Sequence, residues 1–255
     1  MPRRTIFLGF ECNNRCLVCA QGDLRRQLSS SEEPAILAAV EAIQPGEAVA
    51  FVGGEPTLSD GLPELVRLAD ERGAATILVQ TNARRLAYPA YADALCDASK
   101  RLALDASLFG ASSAVHDYHT RVPQSFAQTA RGIRRVSARG VKVGITVVVT
   151  RSNFRHLSEI VRLGRALGAD SIHLATIERF GSADALYPSL APNDELARPY
   201  LETARADAAR LGMRFLEGPP EGTDLEARFA GTGPTDLGAL SSLGPARYDS
   251  LRGGA

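Results

Sequence analysis

The chain has 255 residues, with 29 basic and 29 acidic side chains and a formal net charge of zero. That balance gives no bulk electrostatic pull toward nucleic acid or an anionic membrane. No run reaches the eighteen or so apolar residues that cross a bilayer. The TIFLGF stretch after Met1-Pro2-Arg3-Arg4 is too short for a secretion signal, so a cytoplasmic protein is expected.

Two kinds of segment alternate along the chain. Nearly continuous apolar, β-branched runs at Thr5–Phe10, Ala48–Val52, Ala75–Thr81, Leu102–Phe109, Val141–Thr150 and Asp170–Ile177 read as strands covered on both faces. Between them lie helical patterns. Ser30–Ile43 opens on a Ser/Glu/Pro start signal, Gly61–Arg72 stops at Gly73, and Ser125–Arg139 stops at Gly140. Asn153–Leu167 and Asn193–Leu211 each begin on an Asn cap and end before a glycine. Six strand–helix units predict a parallel sheet in an α/β fold, a partial (β/α)6 TIM-like barrel, with a seventh strand possible at Met213–Glu217. Residues 1–217 then form the core domain. From Gly218 to Ala255 Pro and Gly crowd the sequence, which fits either a loosely ordered tail or a flap over the open side of the barrel.

Of four cysteines, Cys12, Cys16 and Cys19 fall within eight residues, in CNNRCLVC directly after the first strand. Spacings of three and two residues let three thiolates wrap one soft metal centre from a single loop. A closed structural zinc site needs four ligands, and no fourth Cys or His lies nearby. Three thiolates on a cubane iron–sulfur cluster leave one iron open, which suits catalysis rather than simple electron transfer. Cys96 sits in the helical stretch YADALCDASK and reads as a small buried hydrophobe.

Polar groups also gather at the carboxyl ends of the next strands, where functional residues of such folds sit. The second strand ends in Gly53-Gly54-Glu55-Pro56, whose glycines would let a ligand approach the backbone and whose carboxylate can accept from an ammonium. The third ends in Gln80-Thr81-Asn82 and the fourth in Asp105-Ala106-Ser107. Four successive strand ends thus point to one active site on one rim.

A CxxxCxxC loop after the first strand followed by GGEP after the second resembles the radical S-adenosylmethionine superfamily, over about Thr5 to Ile177. The resemblance implies a [4Fe-4S] cluster on Cys12, Cys16 and Cys19, with S-adenosyl-L-methionine (SAM) chelating the remaining iron. It implies that Gly53, Gly54, Glu55 and Pro56 line the methionine end, with Thr81, Asn82, Asp105 and Ser107 near the methionyl or ribose portion. Ala175 matches a position that packs on adenine, and Val18 stands where an aromatic residue is frequent. Ala83 occupies a position usually held by Gly, so a contact that needs positive φ is not expected there. Arg121, in SAVHDYHTRVPQSFAQT, is the candidate for the SAM carboxylate because a guanidinium can grip it with two bonds. In the same segment His116 and Asp117 read as helix-start residues, and none of Tyr118, His119, His156 or His173 is singled out.

The implied chemistry is reductive cleavage of SAM to a 5′-deoxyadenosyl radical that takes hydrogen from an unreactive C–H bond. A flavodoxin- or ferredoxin-type protein would supply the electron, and a peptide or small molecule would be the substrate. The absence of cysteine after Cys96, and of an N-terminal docking domain, argues against a peptide. A glycyl-radical-enzyme activase and a non-catalytic iron–sulfur redox protein are the alternatives the motifs leave open. No nucleic-acid or membrane partner is expected, and the oligomeric state is not legible.

Overall fold

The computed structural model describes residues 3–22 and 33–218. Seven parallel strands lie side by side in chain order: β1 (Arg3–Phe7), β2 (Ala48–Val52), β3 (Thr76–Thr81), β4 (Leu102–Ser107), β5 (Lys142–Val149), β6 (Ser171–Thr176) and β7 (Arg214–Gly218). The seventh strand therefore exists, and β1 and β7 are the two edges of a sheet that does not close. The helices are α1 (Glu33–Glu41), α2 (Leu62–Glu71), α3 (Pro89–Ala98), α4 (Ser113–Thr120), α5 (Ser125–Ala138), α6 (Leu157–Ala166), α7 (Ser182–Leu190) and α8 (Asp194–Arg210).

Successive strand residues face opposite sides, so each strand feeds two layers. Val49, Phe51, Ile77, Val79, Leu102 and Leu104 pack outward against Val40 of α1, Leu62 and Val66 of α2, Leu95 of α3 and Ile133 of α5. Full burial of a side chain such as Phe51 contributes roughly 1.5–3 kcal/mol. The alternate residues Ala50, Val52, Leu78 and Ala103 form a second, smaller cluster with Phe7 on the other face. Farther along β3 and β4 that same face carries Gln80, Asp105 and Ser107. Small apolar side chains thus fill one end of the sheet's inner face, and polar ones line the end where the strands finish.

Three differences from the sequence pattern have local causes. The first strand stops at Phe7 rather than Phe10, because Gly9 takes φ +139° and turns the chain out of the ladder. Helix α4 begins at Ser113, so His116 and Asp117 lie inside it; the Asp117 carboxylate accepts from Gln124 N, Ser125 Oγ and Phe126 N, each at 2.7 Å, and so caps α5. Helix α7 gave no start signal: it opens on Gly181 and holds Pro188 inside it. The expected helix start at Ser30 lies outside the described residues; of the tail expected from Gly218 to Ala255, Gly218 instead ends β7 and the rest lies outside them.

Candidate active site

Cys12, Cys16 and Cys19 line one cavity of about 280 Å³ together with Val18, Gly53, Gly54, Asp105 and Ser107. None of the three cysteines is in a disulfide. The lining also includes Gln80, from the third strand end, and residues that the motifs did not mark: Gln21, Phe109, Thr146, His173 and Phe180. Strand alternation carries the signal for Thr146 and His173, since each falls in register with residues whose side chains face inward. Asp105 accepts from Thr146 Oγ1 at 2.9 and 3.0 Å, which joins β4 to β5 at the cavity wall.

The cysteine loop is held from three sides. Its backbone donates from Arg15 N to Thr120 O and from Leu17 N to His119 O, both at 2.9 Å, and so occupies carbonyls at the C-terminal end of α4. Arg84, past the end of β3, donates from Nη1 to the Asn13 carbonyl and, at 2.8 Å, to Asn14 Oδ1; its Nε donates to Gln128 Oε1 at 2.7 Å. Asn82 Nδ2 donates to Asn13 Oδ1 at 2.6 Å and lies 3.9 Å from Cys12 Sγ, which also accepts from Asn14 N at 3.4 Å. His119 is fully buried, which lowers its pKa; its Nδ1 donates to Val115 O at 2.7 Å, and its Nε2 lies 2.8 Å from Thr150 Oγ1 and 3.0 Å from Ser152 Oγ.

The diglycine turn lines the cavity and also packs against the loop that leads to the cysteines. Gly54 N donates to Gly9 O at 2.7 Å and Glu55 N to Glu11 O at 2.8 Å. A Cβ on Gly54 would collide with the carbonyls of Phe10 and Glu11, so the close approach is to the cysteine loop's own backbone. Glu55 is buried and already occupied. Its Oε1 accepts from Thr57 N at 3.0 Å and from the hydroxyls of Thr57 and Thr81 at 2.6 Å, and its Oε2 accepts from Asn82 N at 2.6 Å. Burial pushes its pKa upward, while those four donors pull it back.

Glu55, Thr81 and Asn82 are thus joined to one another and, like Pro56, are not among the residues that line this cavity; Glu55 and Pro56 line a neighbouring one with Gly54. Arg121 is exposed on a left-handed turn at φ +56° and does not line the cavity. Ala175 is buried in β6 and likewise is not among the wall residues. Cys96 is buried in α3, away from the other thiols, and burial raises its pKa. Ala83 adopts φ +60°, the conformation that its side chain disfavours.

Residues 6–164 match the model of the Radical SAM superfamily, and the chain belongs to that family. It is 28% identical over 138 residues to an AdoMet-dependent heme synthase of Nitratidesulfovibrio vulgaris, covering 54% of this chain and 37% of that protein. It is 31% identical over 215 residues to a PqqA peptide cyclase of Rhodopseudomonas palustris, covering 81% and 54%. The chain thus spans about half or less of the length of these relatives. The structure of Streptococcus suis SuiB bound to precursor peptide SuiA superposes with a TM-score of 0.65 at 18% identity, covering 89% of this chain and 51% of that one.

Members of this family use a [4Fe-4S] cluster and SAM. Among the described residues no three His, Cys, Asp or Glu side chains converge as they would on a single ion. Three thiols lining one cavity match the donor set of a polynuclear group that takes one thiolate per iron. The thiol wall and the polar groups of Gln80, Asp105, Ser107 and Thr146 facing the same space fit the cluster and the metabolite together. No helix among the described residues is long and apolar enough to cross a membrane.

Proposed function

We propose that this protein is a radical SAM enzyme acting on a peptide or small-metabolite substrate, with residues 1–217 as its catalytic core. One observation carries the reading: Cys12, Cys16 and Cys19 share a cavity with the diglycine turn and the inward polar ends of β3, β4 and β5. When bound, the cluster and SAM supply a one-electron cleavage of the sulfonium whose product takes hydrogen from a C–H bond.

The chain's own residues bind, orient and exclude. Cys12, Cys16 and Cys19 hold iron. The backbone of Gly53 and Gly54 lines the methionine end, and Asp105 and Ser107 offer acceptor and hydroxyl groups to the ribose or methionyl part. Val18 provides apolar surface for adenine, while Ala175, which matches the adenine-packing position, is buried in β6 and does not line the cavity. Thr81, Asn82, Glu55 and Pro56 act by fixing the loops rather than by touching SAM. Arg121, exposed and outside the cavity lining, is not assigned a contact with SAM. The heme synthase and the peptide cyclase among the relatives support the breadth of the substrate class. A flavodoxin- or ferredoxin-type donor completes the system.

Anaerobic reconstitution with iron and sulfide tests this. About four irons per chain and dithionite-dependent 5′-deoxyadenosine are expected. Each of Cys12→Ala, Cys16→Ala and Cys19→Ala removes the cluster, while Cys96→Ala keeps it. Folded protein that takes up no iron, or equal loss in all four variants, refutes the assignment.

A further inference from the structure

Gln21 lines the cavity two residues beyond Cys19, only 5% of its surface is exposed, and neither Nε2 nor Oε1 has a partner among the described residues. A buried amide that satisfies neither its donor nor its acceptor is destabilising unless a guest supplies the partners. Its position is fixed rather than accidental. Gly22 N donates to Cys19 O at 3.2 Å, and Ser182 N donates to the same carbonyl at 2.9 Å. Gly22, at φ +47°, packs so tightly on Gly181 that a Cβ there would stand 2.8 Å from its carbonyl carbon. The turn therefore presents one carboxamide from a rigid seat into a space that a guest must fill.

We propose that Gln21 binds the backbone of a peptide substrate in the extended conformation. In an extended chain the N–H and C=O of one residue point to the same side, as they do when two strands exchange both bonds. A primary carboxamide complements that pair: Nε2 donates to the carbonyl and Oε1 accepts from the N–H. Phe180 and Ala183, on the same cavity wall, give apolar surface beside it. This inference rests on the radical SAM reading above and selects a peptide from its substrate class. The adenine of SAM offers a similar donor and acceptor edge, so the test separates the two.

The probe is N-acetyl-triglycine N-methylamide, which carries backbone amides and no side chains. It is added at millimolar concentration to the anaerobically reconstituted full chain with SAM. Relaxation of its proton signals by the reduced cluster reports residence in the cavity. Gln21→Met keeps the side chain's volume and removes both polar atoms. Loss of one hydrogen bond corresponds to about fivefold weaker binding, so probe relaxation is expected to fall at least that far in Gln21→Met. Iron content and SAM affinity stay unchanged, and the thermal midpoint does not fall. Equal relaxation in both proteins overturns the proposal. So does tenfold weaker SAM binding or lower iron content in Gln21→Met, either of which assigns the residue to the cofactors. A wild-type chain that holds iron and SAM but shows no probe relaxation also overturns it and leaves the radical SAM reading intact. Failure to hold iron or SAM at all refutes that underlying reading instead.

Discussion

The carbonyl oxygen of Ala83 occupies the space where Gly132, on α5, would carry a Cβ. Thr129 Oγ1, one turn earlier, donates to Asn82 O at 2.9 Å, so α5 grips the loop after β3 at two consecutive carbonyls. Gly132→Ala must push that backbone away, because a backbone oxygen cannot rotate aside. A loss of about 1–3 kcal/mol in urea unfolding is expected. The displaced loop carries Asn82 and Arg84, so iron loading should fall with it.

Arg84 joins three acceptors that belong to two different segments, Asn13 and Asn14 in the cysteine loop and Gln128 on α5. Arg84→Met keeps the apolar stem and removes every donor. The expected outcome is faster loss of cluster iron to a chelator, with stability lowered by about 1–3 kcal/mol. Arg84→Lys should rescue little, since a single ammonium cannot span the fork of acceptors that a guanidinium spans.

Glu55→Gln replaces one acceptor oxygen by a donor in a site whose four groups, two amides and two hydroxyls, all now donate. Whichever way the amide turns, its NH₂ meets either Asn82 N–H or the Thr57 and Thr81 groups. A destabilisation of about 1–3 kcal/mol is expected. Far-UV circular dichroism during thermal melting checks it, and iron content measured below the transition should remain close to the parent's.

His116 gives the fold an acid limit. It is buried between Phe109 and Phe126, and its Nδ1 accepts from Phe109 N at 3.2 Å. Burial lowers its pKa from 6.5 to about 4. The unfolded chain takes a proton that the folded chain refuses, so this contribution is complete above pH 6.5 and disappears as pH falls toward 4. The shift corresponds to roughly 3 kcal/mol across that window. His116→Asn can keep the acceptor without the titration, and its stability should vary less between pH 6.5 and 4.5 than the parent's in parallel urea unfolding.

Periodicity located the strands because both faces are covered, and their apolar runs leave little ambiguity. It located the rim as well, through the strand ends that carry Gly53, Asp105 and Ser107. What it could not show was orientation within a loop. Glu55 and Asn82 sit in motif positions, yet their polar atoms are consumed by neighbouring loops, a fact of tertiary packing rather than of spacing. Gln21 carries no periodic signal, since a single glutamine after a cysteine becomes meaningful only when its surroundings are seen to be buried. Ala83 shows the reverse case. The side chain argued against positive φ, and the grip of α5 on the neighbouring carbonyls overrides that local preference.

Two amide protons of the cysteine loop, on Arg15 and Leu17, find their acceptors on Thr120 and His119, about a hundred residues farther along the chain. The N-terminal segment is synthesised long before those acceptors exist. The arrangement of the three cysteines thus depends on a helix about a hundred residues downstream, and a change that loosens α4 reaches the thiols without touching them.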